Sequence, residues 1–197
     1  MKPKPAVLLI VSGVCWLVGA VAFAPLLTGV YASADPLVRQ AAIAARPLPW
    51  VAQNLFFFAG VVAAALGLIG LVSGVCGRAR RLANAGRIML ALSVTAWTIL
   101  LFNMVAAPLG VELATIIVTR TFWMAAALTT LATFVLIGLS LIASREAILA
   151  GTWMAAASAL LFCAAIAMRS DLPPLLFFQV LLVAGVALIA RKPVLTF

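Results

Sequence analysis

Residues 56–77, FFFAGVVAAALGLIGLVSGVCG, form an apolar run in which Gly60, Ala63, Gly67, Gly70, Gly74 and Gly77 recur at alternating intervals of three and four. At 3.6 residues per turn this spacing returns to one helical face, so the six small residues form one stripe. Inside a bilayer, two helices gain little hydrophobic free energy by meeting. They associate where small residues let their backbones come close. Ser12, Cys15, Gly19 and Ala22 repeat the spacing in a second apolar run. The two runs are expected to pack on each other. The alternative use of the stripe is a homodimer seam or a seat for another membrane protein.

The rest of the chain is of the same kind. Of 197 residues, 67% are hydrophobic and 9% charged, with a mean hydropathy of +1.30. That is too little charge to cover a soluble domain of this length. Six segments can hold a membrane-crossing helix: about 6–27, 51–76, 88–107, 121–143, 147–168 and 174–190. Their lengths correspond to about 26 to 39 Å at 1.5 Å per residue, against a hydrocarbon core of about 30 Å. The last is the shortest. The fold expected is all-α, a polytopic integral membrane bundle of six transmembrane helices. No connection is long enough for a soluble domain, so residues 1–197 read as a single transmembrane domain.

The net charge of +9 would suggest nucleic acid in a soluble protein, but here the basic residues punctuate the spans and no nucleic-acid partner is expected. With the amino terminus inside, the inner segments carry Lys2, Lys4, Arg78, Arg80, Arg81, Arg87, Arg145, Arg191 and Lys192. The outer segments carry only Arg39, Arg46, Arg120 and Arg169, together with the acids Asp35, Glu112 and Asp171. This bias places both termini in the cytoplasm. Trp50 and Trp123 then fall at the outer interface, where amphipathic rings are common. The start of the chain resembles a signal peptide, ending A-x-A at Ala22 and Ala24. Its apolar run is longer than a usual h-region and Pro25 follows the cleavage point, so a retained helix is expected. Small size, short loops and inside-positive charge suggest a bacterial inner (plasma) membrane.

Between the first two spans, Asp35 can cap a helix with Pro36 in its first position, and Pro47 can end it. An amphipathic helix over about 36–46, lying on the outer surface, is expected; a lid is the sharper alternative. The inner loop GRARRLANAGR carries Arg78, Arg80, Arg81 and Arg87. It reads as a topology signal that could also take anionic lipid. The turn ASREAI is short enough to make spans four and five adjacent and antiparallel, with Ser144 as a cap. Residues 111–120 read as a surface or projecting helix leading into span four, with a re-entrant segment as the alternative. A weak echo, LIGL at 68–71 and 136–139 and AGRIMLALS beside AGTWMAAAS, raises a duplication of hairpins two–three and four–five.

Candidate chemistry is sparse. No Asp, Glu, Lys, Arg or His falls near the middle of a span, the usual mark of ion or proton transport. Gln53, Asn54, Asn103 and Gln179 are the candidates for a polar pocket; their other reading is hydrogen bonding between helices. Trp16 and Trp97 are expected in the core, with each indole N–H partnered. Histidine is absent, which removes Ser–His, Cys–His, HExxH and histidine-ligated haem arrangements. Cys15, Cys76 and Cys163 share no CxxC spacing and read as small packing residues. Three outer carboxylates in three loops do not define an acid–base pair. No catalytic residue, metal or cofactor is assigned. The reading is a small multi-pass membrane protein, a non-catalytic subunit or assembly partner. The alternative is a transporter or channel for a small neutral or lipophilic solute.

Overall fold

The computed structural model describes residues 4–32, 35–106, 116–168 and 174–190. Their secondary structure is helical throughout: α1 (Lys4–Phe23), a 3-10 turn (Ala24–Leu27), α2 (Thr28–Ala32), α3 (Pro36–Ala45), α4 (Pro47–Val72), α5 (Ala79–Ala106), α6 (Ile116–Ala143), α7 (Ile148–Met168) and α8 (Pro174–Ile189). Among these residues, five segments are long and apolar enough to cross a membrane: Lys4–Val30, Pro47–Val72, Ala79–Ala106, Phe122–Ala143 and Ile148–Ala167. The helix at the sixth expected span has 16 residues, about 24 Å at 1.5 Å per residue, and is too short to count with them.

Several boundaries differ from the sequence reading. Pro25 has no N–H to continue the α1 ladder, and the chain tightens there into the 3-10 turn before resuming as α2. Helix α4 stops at Val72, so Gly74 and Gly77 lie in the following connection. Gly77 has φ 64°, a left-handed turn that glycine makes without steric penalty. Helix α5 starts nine residues before the expected span, which puts Arg80, Arg81 and Arg87 in its first turns. The segment ARRLANA is built of good helix formers, and long basic side chains can reach water from a buried helix end. Residues 116–120 continue directly into α6; 111–115, with Glu112, lie outside the described residues, as does Asp171.

Among the described residues, the five long helices and the shorter α8 close a ring. α1 packs on α4 and α8, α4 on α5, α5 on α6, α6 on α7, and α7 on α8. Glycines set the seams. On α4, a Cβ built on Gly60 would fall 2.5 Å from Trp16 Cδ1, on Gly67 2.8 Å from Leu9 Cδ2, and on Gly70 3.0 Å from Pro5 Cγ. From α1, Gly19 meets Phe57. The pair runs antiparallel, and the Gly60–Gly70 face is occupied by α1. Ser12 and Gly19 are buried at this contact, Cys15 is half-buried and Ala22 is exposed.

The opposite face of α1 takes α8, where Gly13 lies against Leu182 and Gly185 against the Ala6 carbonyl and Ile10. This pair is antiparallel too. The closest approach to backbone at any described glycine belongs to the α6–α7 hairpin. A Cβ on Gly138 would stand 2.6 Å from the Gly151 carbonyl oxygen, and one on Gly151 2.7 Å from that of Gly138. The turn holds Arg145 at φ 57°. Ser144 does not cap α7; its hydroxyl donates to the Leu141 carbonyl at the end of α6, at 3.2 Å. The paired glycines of the hairpin echo make different contacts. Gly70 faces α1 and Gly86 faces Ile137 of α6, whereas their counterparts Gly138 and Gly151 face each other.

Candidate functional site

The centre of the ring is aromatic. Trp16 stacks between Phe57, at a centroid distance of 4.2 Å and 11° between planes, and Phe178, at 4.3 Å and 9°. Trp97 meets the Trp16 ring edge-on at 5.2 Å, and Trp123 meets Trp97 at 5.5 Å. Rings from α1, α4, α5, α6 and α8 thus converge on one cluster. Beside it, Thr130 accepts the Trp97 indole N–H at 2.9 Å, and its hydroxyl lies 2.7 Å from that of Ser93. Thr130 Oγ1 also lies 2.6 Å from the Ala126 carbonyl, to which it can donate. The expectation that every core indole finds a partner holds for Trp97 and not for Trp16. The indole nitrogens of Trp16 and Trp123 and the hydroxyls of Ser12 and Ser158 are buried with no hydrogen-bond partner among the described residues.

The candidate polar residues do not converge. Gln53 is buried on α4 and donates to the Gly19 carbonyl at 3.0 Å. Gln179 on α8 donates to the Gly13 carbonyl at 3.3 Å. Both amides clamp neighbouring helices to α1, from its two sides. Asn54 turns back on its own helix to the Trp50 carbonyl at 2.8 Å, and Asn103 is half-buried near the end of α5. Gln53, Asn54 and Gln179 each donate to a helix carbonyl, which is what a polar group in an apolar interior must do.

Trp50 and Trp123, expected at the outer interface, both make contacts inside the bundle. Trp50 is buried and donates its indole N–H to the Met104 carbonyl at 2.6 Å. Trp123 is half-buried against Trp97. Trp50 belongs with Leu27 and Val30 to a small separate core, flanked by Ala42 and Ile43 of α3. Asp35 caps α3 through the Leu37 N–H at 2.9 Å, and Arg46 donates to the Leu26 carbonyl at 2.7 Å. Helix α3 is therefore seated on the end of the bundle by Ala42 and Ile43, while its Leu37 and Val38, and Leu48 at the start of α4, stay exposed.

The opposite end is basic. Pro5 touches Gly70, and Gly74 lies near Glu146. The α4–α5 connection, the start of α1 and the α6–α7 turn thus lie together. Lys4, Arg78, Arg80, Arg81 and Arg145 are exposed there. Arg87 is engaged otherwise: it donates to the Val72 carbonyl at 2.8 Å and to Asn84 Oδ1 at 3.1 Å, closing the C-terminal end of α4. Between the start of α7 and the end of α8 lies an open apolar cleft of about 160 Å³, lined by Ala147, Ile148, Leu149, Ala150, Ala187, Leu188 and Ala190. The cysteines are free, and Cys76 and Cys163 are exposed, so those two are not packing residues.

No protein-family model, no curated protein and no solved structure matches the chain. Sequence reasoning missed two features. Phe57 and Phe178 sit in apolar runs where aromatic and aliphatic residues look alike, so nothing marked them as partners of Trp16. Arg145 looked like one more topology charge, and only its backbone sets it apart.

Proposed function

We propose that this protein is a six-span integral membrane component without catalytic chemistry of its own, working as a subunit or assembly partner in a bacterial inner membrane. The observation that carries this reading is the filled centre. Phe57, Trp16 and Phe178 stack across the ring at van der Waals spacing, and the amides of Gln53 and Gln179 are spent on α1 carbonyls. A conduit needs unfilled volume or polar groups free to exchange partners along a path. A structural component needs a rigid bundle, and stacked rings with small-residue seams supply one.

The six-span topology draws support from α8. It runs antiparallel to α1 and completes the ring, as the last of an even number of crossings must when both ends lie on one side. The basic end, with Lys4, Arg78, Arg80, Arg81 and Arg145, supports the cytoplasmic assignment of that side. Anionic lipid is the partner suited to this end, and the bilayer itself to the apolar flanks.

Gentle extraction from native membranes followed by native mass spectrometry tests the reading. A stoichiometric protein partner is the expected result. A protein that comes out alone and moves a neutral solute across liposome membranes would overturn it in favour of transport.

A further inference from the structure

Arg145 occupies a position where glycine would be cheaper. Its φ of 57° puts a side chain in the left-handed region, which is unfavourable for any residue with a Cβ. The turn itself needs only the backbone: the Arg145 N–H donates to the Ile142 carbonyl at 3.0 Å and the Ser144 N–H to the Ser140 carbonyl at 3.0 Å. What arginine adds beyond glycine is an exposed guanidinium. Two residues later the chain enters the apolar cleft at Ala147, which continues through Ile148, Ala150, Ala187 and Leu188. Ile148 and Leu149 are 53% and 74% exposed beside it. Glu146, the acid next in sequence, approaches the α4–α5 connection at Gly74.

An exposed cation two residues ahead of a small apolar cleft at the end of a membrane helix matches an anionic phospholipid, with a phosphate that a guanidinium pairs in fork geometry and an acyl chain that needs apolar walls. We infer that the α7–α8 cleft and Arg145 together form a seat for an anionic phospholipid. Arg145 holds the phosphate, and Ile148, Ala187 and Leu188 hold the upper acyl chain. This rests on the membrane reading above and narrows the lipid contact from the whole basic end to one place. An acidic protein partner would have no use for the acyl groove.

The test uses the full chain, delipidated in mild detergent and given phosphatidylglycerol or phosphatidylcholine at equal concentration, with retained lipid read by native mass spectrometry. Phosphatidylglycerol should be retained about tenfold over phosphatidylcholine, the factor one charge-assisted contact supplies. Arg145→Gly should abolish that preference while the thermal midpoint stays equal or rises, because glycine suits the turn better. Ala187→Trp should lower retention of both lipids by filling the cleft. Equal retention of the two lipids, or a preference that survives Arg145→Gly, overturns the proposal. So does equal thermal protection by inorganic phosphate, since that would leave the cleft without a part. Failure of the membrane reading would show separately, as wild-type protein that stays in solution without detergent.

Discussion

Trp16 lies over Gly60, so close that a Cβ on the glycine would fall 2.5 Å from its Cδ1 and 2.8 Å from its Nε1. The indole cannot slide away, because Phe57 and Phe178 hold its two faces. Its buried N–H has no partner among the described residues, a cost of about 1–3 kcal/mol. The two stacks, each worth about 0.5–1.5 kcal/mol beyond area burial, offset it. Gly60→Ala should therefore destabilise the protein by about 2 kcal/mol through overpacking. Gly74→Ala, which meets only Glu146 Oε1 at 4.0 Å, should stay within about 0.5 kcal/mol of wild type. Chemical unfolding in detergent compares the two, and equal effects would remove the Trp16 contact from the account.

Among the described glycines, Gly138 has the closest backbone neighbours. Its neighbours are backbone atoms, the Gly151 carbonyl at 2.6 Å and the Ala155 nitrogen at 2.8 Å from an added Cβ, and backbone cannot rotate out of the way. Gly138→Ala should cost about 3 kcal/mol, the upper end of overpacking effects. By contrast Gly77→Ala meets nothing within 4 Å among the described residues and should cost only its left-handed backbone, about 1 kcal/mol. The same unfolding measurement ranks them, and the order is the prediction.

The amide clamps on α1 should be modest and independent. Gln53→Leu should lose about 1 kcal/mol, within the range for interhelical hydrogen bonds in membranes. Gln179→Leu should lose less, since its bond is longer and only half-buried. The clamps hold different helices, α4 and α8, so the double variant should equal the sum within about 0.5 kcal/mol. A coupling larger than that would mean the two amides share a structure not seen in their separate bonds.

Thr130 should matter more than its size suggests. Thr130→Val leaves both the Trp97 indole N–H and the Ser93 hydroxyl without this partner, and should destabilise by about 2 kcal/mol. Thr130→Ser keeps the hydroxyl and should recover most of that loss. Tryptophan emission together with unfolding checks it. If serine rescued nothing, the methyl group's packing would be the explanation and not the hydrogen bonds.

Much of the architecture was legible in the chain because the bilayer leaves few choices. Backbone polar groups must be satisfied within each segment, so apolar length alone marks a helix. The three–four spacing of Gly60, Gly67 and Gly70 likewise marks a close-packing face. Helix ends were less legible, since Arg80, Arg81 and Arg87 favour a helix as well as a loop, and Val72 ends α4 inside a run that continues apolar.

The sequence by itself determined the helical class, the apolar spans, the cap at Asp35 and the small faces of α1 and α4, because each depends on local spacing and on solvent. Tertiary structure alone decided that α1 would be shared between α4 and α8, and that Phe57 and Phe178 would enclose Trp16. It also turned the scattered amides into clamps and gathered Lys4, Arg78 and Arg145 at one end. In a chain so uniformly apolar, hydropathy is nearly equal for competing arrangements. The choice falls to shape, at contacts where one glycine hydrogen in place of a methyl group decides which helices can meet.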